Sequence, residues 1–124
     1  MTATVLIVDD EPLVLESLGR LLRMRGLEVL LARDGVSGLQ AAVKFRPDYV
    51  VCDVRMPNMD GPSMVRSMHR TYEHEGWPWP RVVLVTGFND LHAGEMQELP
   101  VEGVLQKPAT ARDIMDALAL QGAA

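Results

Sequence analysis

Along this chain, short apolar runs alternate with stretches in which apolar residues return every three or four positions. Thr4 to Val8 (TVLIV) is the first run, and behind it Val14, Leu18, Leu21 and Leu22 recur at helical spacing until Gly26 offers a C-terminal stop. Leu27 to Ala32 returns to strand. Val36, Leu39, Ala42 and Val43 mark a second helix, which must close before Pro47 because the residue preceding a proline is driven out of the helical region. Tyr49 to Cys52 is the third strand. Pro62 can open the next helix, since its missing N–H costs nothing in a first turn, and Val65, Met68 and Tyr72 supply that helix's apolar face. Arg81 to Val85 and Gly103 to Gln106 read as the fourth and fifth strands. Between them Leu91 to Glu98 predicts a weaker helix with Gly94 inside it, and Thr110 with Asp113 has the form of a capping box opening the last helix.

Five apolar strands separated by helices predict an α/β fold, a doubly wound parallel sheet, because parallel strands need crossovers and right-handed crossovers place helices on both faces. The 124 residues suit a single domain over 1–124, and 48% hydrophobic content suffices for its core. There is no internal repeat, low-complexity tract or interdomain linker. The odd connection is TYEHEGWPWP, residues 71 to 80, whose two Trp-Pro pairs are expected to cover the lower rim of the core rather than to form an exposed docking patch.

Charge and composition then exclude several functions. A formal charge of -5 argues against a nucleic-acid or anionic-membrane surface, since either would repel the molecule. The basic run Arg20, Arg23, Arg25 reads as a solvated helix face. No secretory signal or membrane span is visible, so a cytoplasmic location is expected. The single cysteine, Cys52, excludes an intramolecular disulfide, offers no paired metal ligand and reads as a small core residue. His69, His74 and His92 lie away from the strand ends and read as surface residues.

The informative residues are those that interrupt the apolar pattern. In open α/β sheets, ligands bind beyond the carboxyl ends of the strands. Asp9 and Asp10 follow the first strand here, Asp53 the third, Thr86 the fourth and Lys107 the fifth. Two unit charges about 4 Å apart repel by about 4 kcal/mol at an effective dielectric near 20, so converging carboxylates require positive charge among them. Lys107 supplies one such charge. A hard divalent cation such as Mg²⁺ would supply more, because it takes oxygen ligands and keeps water that a phosphate can replace; with no His or Cys in the set, Zn²⁺ fits poorly. Beside two such cations Asp53 could attack phosphorus and form an aspartyl phosphate, with the Thr86 hydroxyl placed to bind a phosphoryl oxygen.

Together, VDDEP at 8 to 12, PDYVVCDVRMPNMDG at 47 to 61, VTG at 85 to 87 and LQKP at 105 to 108 resemble the receiver domain of two-component response regulators. The resemblance covers nearly the whole chain and implies the flavodoxin-like strand order 2-1-3-4-5. It implies that Asp53 is the phosphoacceptor. It also implies that Asp10 and Asp53 bind Mg²⁺ with the backbone carbonyl of Arg55, that Asp9 assists directly or through water, that Lys107 contacts the phosphoryl group, and that Thr86 is the switch hydroxyl. The Lys107-Pro108 bond is expected to be cis. A sensor histidine kinase or histidine phosphotransfer protein would donate the phosphoryl group, and a downstream output domain or protein would read it. Such a chain catalyses its own phosphorylation and dephosphorylation without being a turnover enzyme.

Two positions depart from the pattern. Val104 stands where receivers often carry an aromatic residue, and Ala109 follows the Lys-Pro pair where a larger apolar residue is common. Phe88 and the helix between Leu91 and Glu98 are therefore expected to carry the switch, while Arg55 and Phe88 occupy positions that influence dephosphorylation in the family. Among rival readings, a phosphatase of the haloacid dehalogenase type wants a second aspartate where Arg55 stands. A flavodoxin-like cofactor binder wants small residues where Asp9, Asp10 and Glu11 stand. A receiver-like interaction module working without phosphorylation is separable only by chemistry.

Overall fold

The structure is a computed structural model that describes residues 2–87 and 98–120. The described elements follow in the order β1 (Thr4–Val8), α1 (Pro12–Met24), β2 (Glu28–Ala32), α2 (Gly35–Phe45), β3 (Tyr49–Asp53), α3 (Gly61–Glu75), β4 (Arg81–Thr86), β5 (Gly103–Gln106) and α4 (Ala111–Ala117). The helix expected between Leu91 and Glu98 lies, but for its last residue, outside the described residues, as do Phe88 and His92.

Local chemistry accounts for where the helices start. Asp34 and Asp60 each accept a hydrogen bond from the backbone N–H three residues on, Ser37 at 2.7 Å and Ser63 at 2.8 Å, so α2 and α3 begin one residue earlier than the apolar spacing suggests. Thr110 and Asp113 form the expected reciprocal box at the start of α4. In α1 the Pro at the first turn does without a side-chain cap.

The five strands are parallel and ordered β2-β1-β3-β4-β5, as the resemblance implied. Their register sets Val8 opposite both Ala32 and Cys52, Asp53 opposite Val85, and Thr86 opposite Gln106, which brings the strands to a common carboxyl edge. Asp53 is thus the last residue of β3 rather than the first beyond it, and Thr86 the last of β4. Both ladders run one residue further than hydrophobicity alone indicated, because backbone pairing does not depend on the side chain being apolar.

Alternate residues of the central strands feed two cores. Leu6, Val50, Cys52 and Leu84 pack with Met64, Met68 and Tyr72 under α2 and α3. Val5, Ile7, Val51 and Val83 pack with Leu15, Leu22, Ile114 and Leu118 under α1 and α4. Burial on both faces is why these strands read as continuous apolar runs. Cys52 is a fully buried core residue, and burial pushes its thiol pKa up, which leaves it without thiolate character. Trp77 and Trp79 pack against the first core at its lower rim, both edge-on to the ring of Tyr72 with centroids 5.4 Å away. His69 is half-buried rather than a plain surface residue, its ring edge-to-face with Trp79 at 4.9 Å. No helix among the described residues is long and apolar enough to cross a membrane.

Candidate phosphoryl-acceptor site

The shared carboxyl edge gathers the residues that interrupted the apolar pattern. Asp53 is 3% exposed, and its Oδ2 accepts a hydrogen bond from Lys107 Nζ at 3.0 Å. Its Oδ1 is buried and has no hydrogen-bond partner among the described residues. Asp9 continues the ladder beyond β1, its N–H donating to Ala32 O at 3.1 Å, and its buried carboxylate accepts from the Glu11 N–H at 2.9 Å. Asp10, next along the chain, is exposed. The three aspartates each bring a carboxylate oxygen within 4.8 Å of the others.

Lys107 reaches this cluster from the end of β5. Its backbone N–H donates to Thr86 O at 2.7 Å, and the Lys107-Pro108 bond is cis, as expected. The ammonium also lies 3.8 Å from Glu11 Oε1, a neighbour that the sequence pattern did not single out. Thr86 is buried at the same rim with its hydroxyl donating to Gly87 O at 3.0 Å. Arg55 stands in the β3–α3 loop with its side chain exposed, Ala109 lies just past Pro108, and Val104 on β5 is 39% exposed.

Burial dominates the protonation equilibria at this edge. Burial raises the Asp53 carboxyl to about 6, with Asp9 and Asp10 pushing the same way and the Lys107 hydrogen bond opposing them. Burial likewise raises Asp9. Burial alone would lower the Lys107 ammonium, but the hydrogen bond and charge of Asp53, followed by Asp9 and Glu11, outweigh it and hold the pKa above its ordinary value. Among the described residues the Lys107 ammonium is thus drawn to Asp53, Asp9 and Glu11 together. An all-oxygen donor set with a buried carboxylate oxygen that has no partner among those residues fits a hard divalent cation.

Two further features give the site its shape. A cavity of about 360 Å³ runs from Asp53 and Lys107 down between α1 and α4, lined by Val14, Leu18, Val85 and Ile114. On the other side, a Cβ on Gly61 would lie 2.4 Å from the Asp53 carbonyl oxygen, so the chain can turn back against the acidic strand end only because this residue is glycine. The Asp-Gly pair that closes RMPNMDG is the signal in the sequence that could have announced this approach.

Comparison with known proteins gives the arrangement a family. A sequence model described as the response regulator receiver domain matches residues 5–119. The transcriptional regulatory protein PrrA of Mycobacterium tuberculosis is 48% identical over 64 residues, covering 52% of this chain and 28% of that protein. The response regulator MprA of a Mycobacterium species is 45% identical over 71 residues, covering 57% and 31%. The chain thus spans less than a third of these curated relatives. Among solved structures, a response regulator receiver domain protein from Clostridium thermocellum superposes with a TM-score of 0.82 at 30% identity, covering 94% of this chain and 91% of that one. The chemotaxis protein CheY4 of Vibrio cholerae also superposes with a TM-score of 0.82, at 25% identity over 96% and 98%. With the family model spanning nearly every described element and the acidic cluster at its expected edge, the chain belongs to the response regulator receiver domain family.

Proposed function

We propose that Asp53 is the phosphoacceptor of this two-component signalling switch and that Mg²⁺ is its cofactor. The observation that carries the proposal is the Asp53 carboxylate itself, buried, with one oxygen on Lys107 at 3.0 Å and the other without a partner among the described residues, beside Asp9 and Asp10. Asp9, Asp10, Asp53 and the Arg55 carbonyl would hold the cation. When bound, it would neutralise charge on the phosphoryl oxygens and let an anionic donor approach an acidic crevice.

The chain's own residues supply the remainder. Asp53 attacks the phosphorus of a phosphohistidine, an O–P bond forms as the N–P bond breaks, and the donor imidazole departs with the bonding pair. Lys107, already on Asp53, bears on the transferring phosphoryl oxygens. Thr86 must release Gly87 O to donate to the new phosphoryl group, which makes its hydroxyl the local switch. Water attack on the aspartyl phosphate at the same site reverses the modification. The implied partners are a cytoplasmic sensor histidine kinase or histidine phosphotransfer protein and a downstream output domain or protein.

Intact mass after incubation with Mg²⁺ and acetyl phosphate tests this reading. The wild-type chain should gain one phosphoryl group, while Asp53→Asn and chelated wild-type protein should gain none. Equal labelling of Asp53→Asn would place the acceptor elsewhere, and a wild type that never labels would favour an interaction module working without phosphate.

A further inference from the structure

The loop from Val54 to Asp60 carries the Arg55 carbonyl and is gripped at both ends. At its start, the Val54 N–H donates to Val85 O at 2.9 Å; at its finish, the Gly61 N–H donates to Val54 O at 2.8 Å, and Gly61 has no room for a Cβ against Asp53 O. A third contact comes from a different element. A Cβ on Gly35, the first residue of α2, would lie 2.2 Å from Met59 O, 2.8 Å from Met59 Cβ and 2.9 Å from Met59 C. Two of those three atoms are backbone, so no side-chain rotation relieves the overlap.

Helix α2 is itself pinned. Gly38 seats it against Val8 and Met64, and the Tyr72 hydroxyl donates to Ala42 O at 2.6 Å, tying it to α3. Arg55, Pro57, Asn58 and Asp60 are exposed, by contrast, and Asn58 already holds a positive φ of 70°. If helix and loop cannot both keep their places, the loop yields.

We infer that Gly35 is a positioning residue for the cation site: by omitting a side chain it lets α2 press on Met59 and so sets the loop that presents the Arg55 carbonyl next to Asp53. The inference rests on the proposed phosphoacceptor reading and deepens it, because it assigns site geometry to a helix that contributes none of the proposed ligands or phosphoryl contacts.

The test is the Mg²⁺ dissociation constant, measured by calorimetry for wild type, Gly35→Ala and Gly38→Ala, with urea midpoints alongside. Gly35→Ala should weaken Mg²⁺ binding by about tenfold, the scale on which supports of metal ligands act. Acetyl phosphate labelling of that variant should recover as Mg²⁺ is raised. Gly38→Ala crowds the same helix against the side chains of Met64 and Val8, so it should lower the urea midpoint and leave Mg²⁺ affinity unchanged. Wild-type affinity in Gly35→Ala, or equal weakening in Gly38→Ala, overturns the positioning role alone. Should Gly35→Ala fail to fold, Met59→Gly against Met59→Ala decides: only the glycine variant removes the Cβ that faces Gly35 and should weaken binding, and equal affinities overturn the inference. A wild-type chain that binds no Mg²⁺ overturns the reading of the site, and the inference with it.

Discussion

At the carboxyl ends of β1, β3 and β5, three aspartates crowd together with the Lys107 ammonium on Asp53 and near Glu11, whereas several polar groups near the amino ends each meet a partner of their own. There the Trp79 indole N–H donates to Pro100 O at 2.9 Å, Arg81 to Leu118 O at 3.1 Å, and the Thr4 N–H to Asp48 Oδ2 at 2.8 Å. The Arg46 guanidinium lies 4.7 Å from the Trp77 ring centroid. Buried charge without full compensation is costly, so a fold retains it where chemistry or a ligand supplies the missing partner. The contrast sets paired contacts at one end of the sheet against the proposed reactive residues at the other.

The largest expected effect tests the stabilising end. Trp79→Ala removes the bond to Pro100 O together with ring contacts to Tyr72 and His69, and should cost about 3 kcal/mol in urea unfolding. Labelling of the folded variant at Asp53 should match wild type. A variant that keeps its stability but loses labelling would break the division between the ends.

The reactive end should respond to pH in the opposite sense to an ordinary paired carboxylate. The folded-state pKa of Asp53, about 6, lies above its usual value of 3.8, so between these values the folded chain holds more protons than the unfolded one. Stability should therefore fall as pH rises from about 4 to 6 and stay level above that range. The buried charge costs on the order of 2 kcal/mol at neutral pH in metal-free buffer. Asp53→Asn should recover that amount at pH 7 and nothing at pH 4, read from paired urea titrations with chelator. Asp9 is shifted in the same direction and leaves a smaller slope in the variant. A variant less stable than wild type at pH 7 would show that Lys107 fully compensates Asp53.

The smallest effect sharpens the comparison within the packed side. Tyr72→Phe keeps the ring against both tryptophans and deletes only the hydroxyl that donates to Ala42 O, so it should cost about 1 kcal/mol without altering labelling. Calorimetric unfolding together with intact mass would check both halves.

Most of the elements, and the residues that gather at the carboxyl edge, were legible from local pattern, while the strand order came with the resemblance. Apolar runs of strand length and helical repeats are set by which side chains must leave water, and that requirement is written in consecutive residues such as Thr4 to Val8 or Val65, Met68 and Tyr72. The same logic marked Asp9, Asp53, Thr86 and Lys107, because polar groups that close apolar strands converge at one edge of a parallel sheet. Less legible were features set across the chain. Glu11 approaches Lys107 from 96 residues away, and the edge of His69 meets Trp79 across a turn.

The sequence by itself determined the alternation of strand and helix, the capping box of Thr110 and Asp113, and the set of residues available for chemistry, all of which depend on neighbours within a few positions. Tertiary structure alone decided that Lys107 holds one Asp53 oxygen while the other has no partner among the described residues, and that Gly35 meets the carbonyl of Met59. Burial, charge pairing and backbone clearance are set by distances of a few ångströms between distant segments, and those distances exist only once the register of the strands and the packing of the helices have brought the segments together.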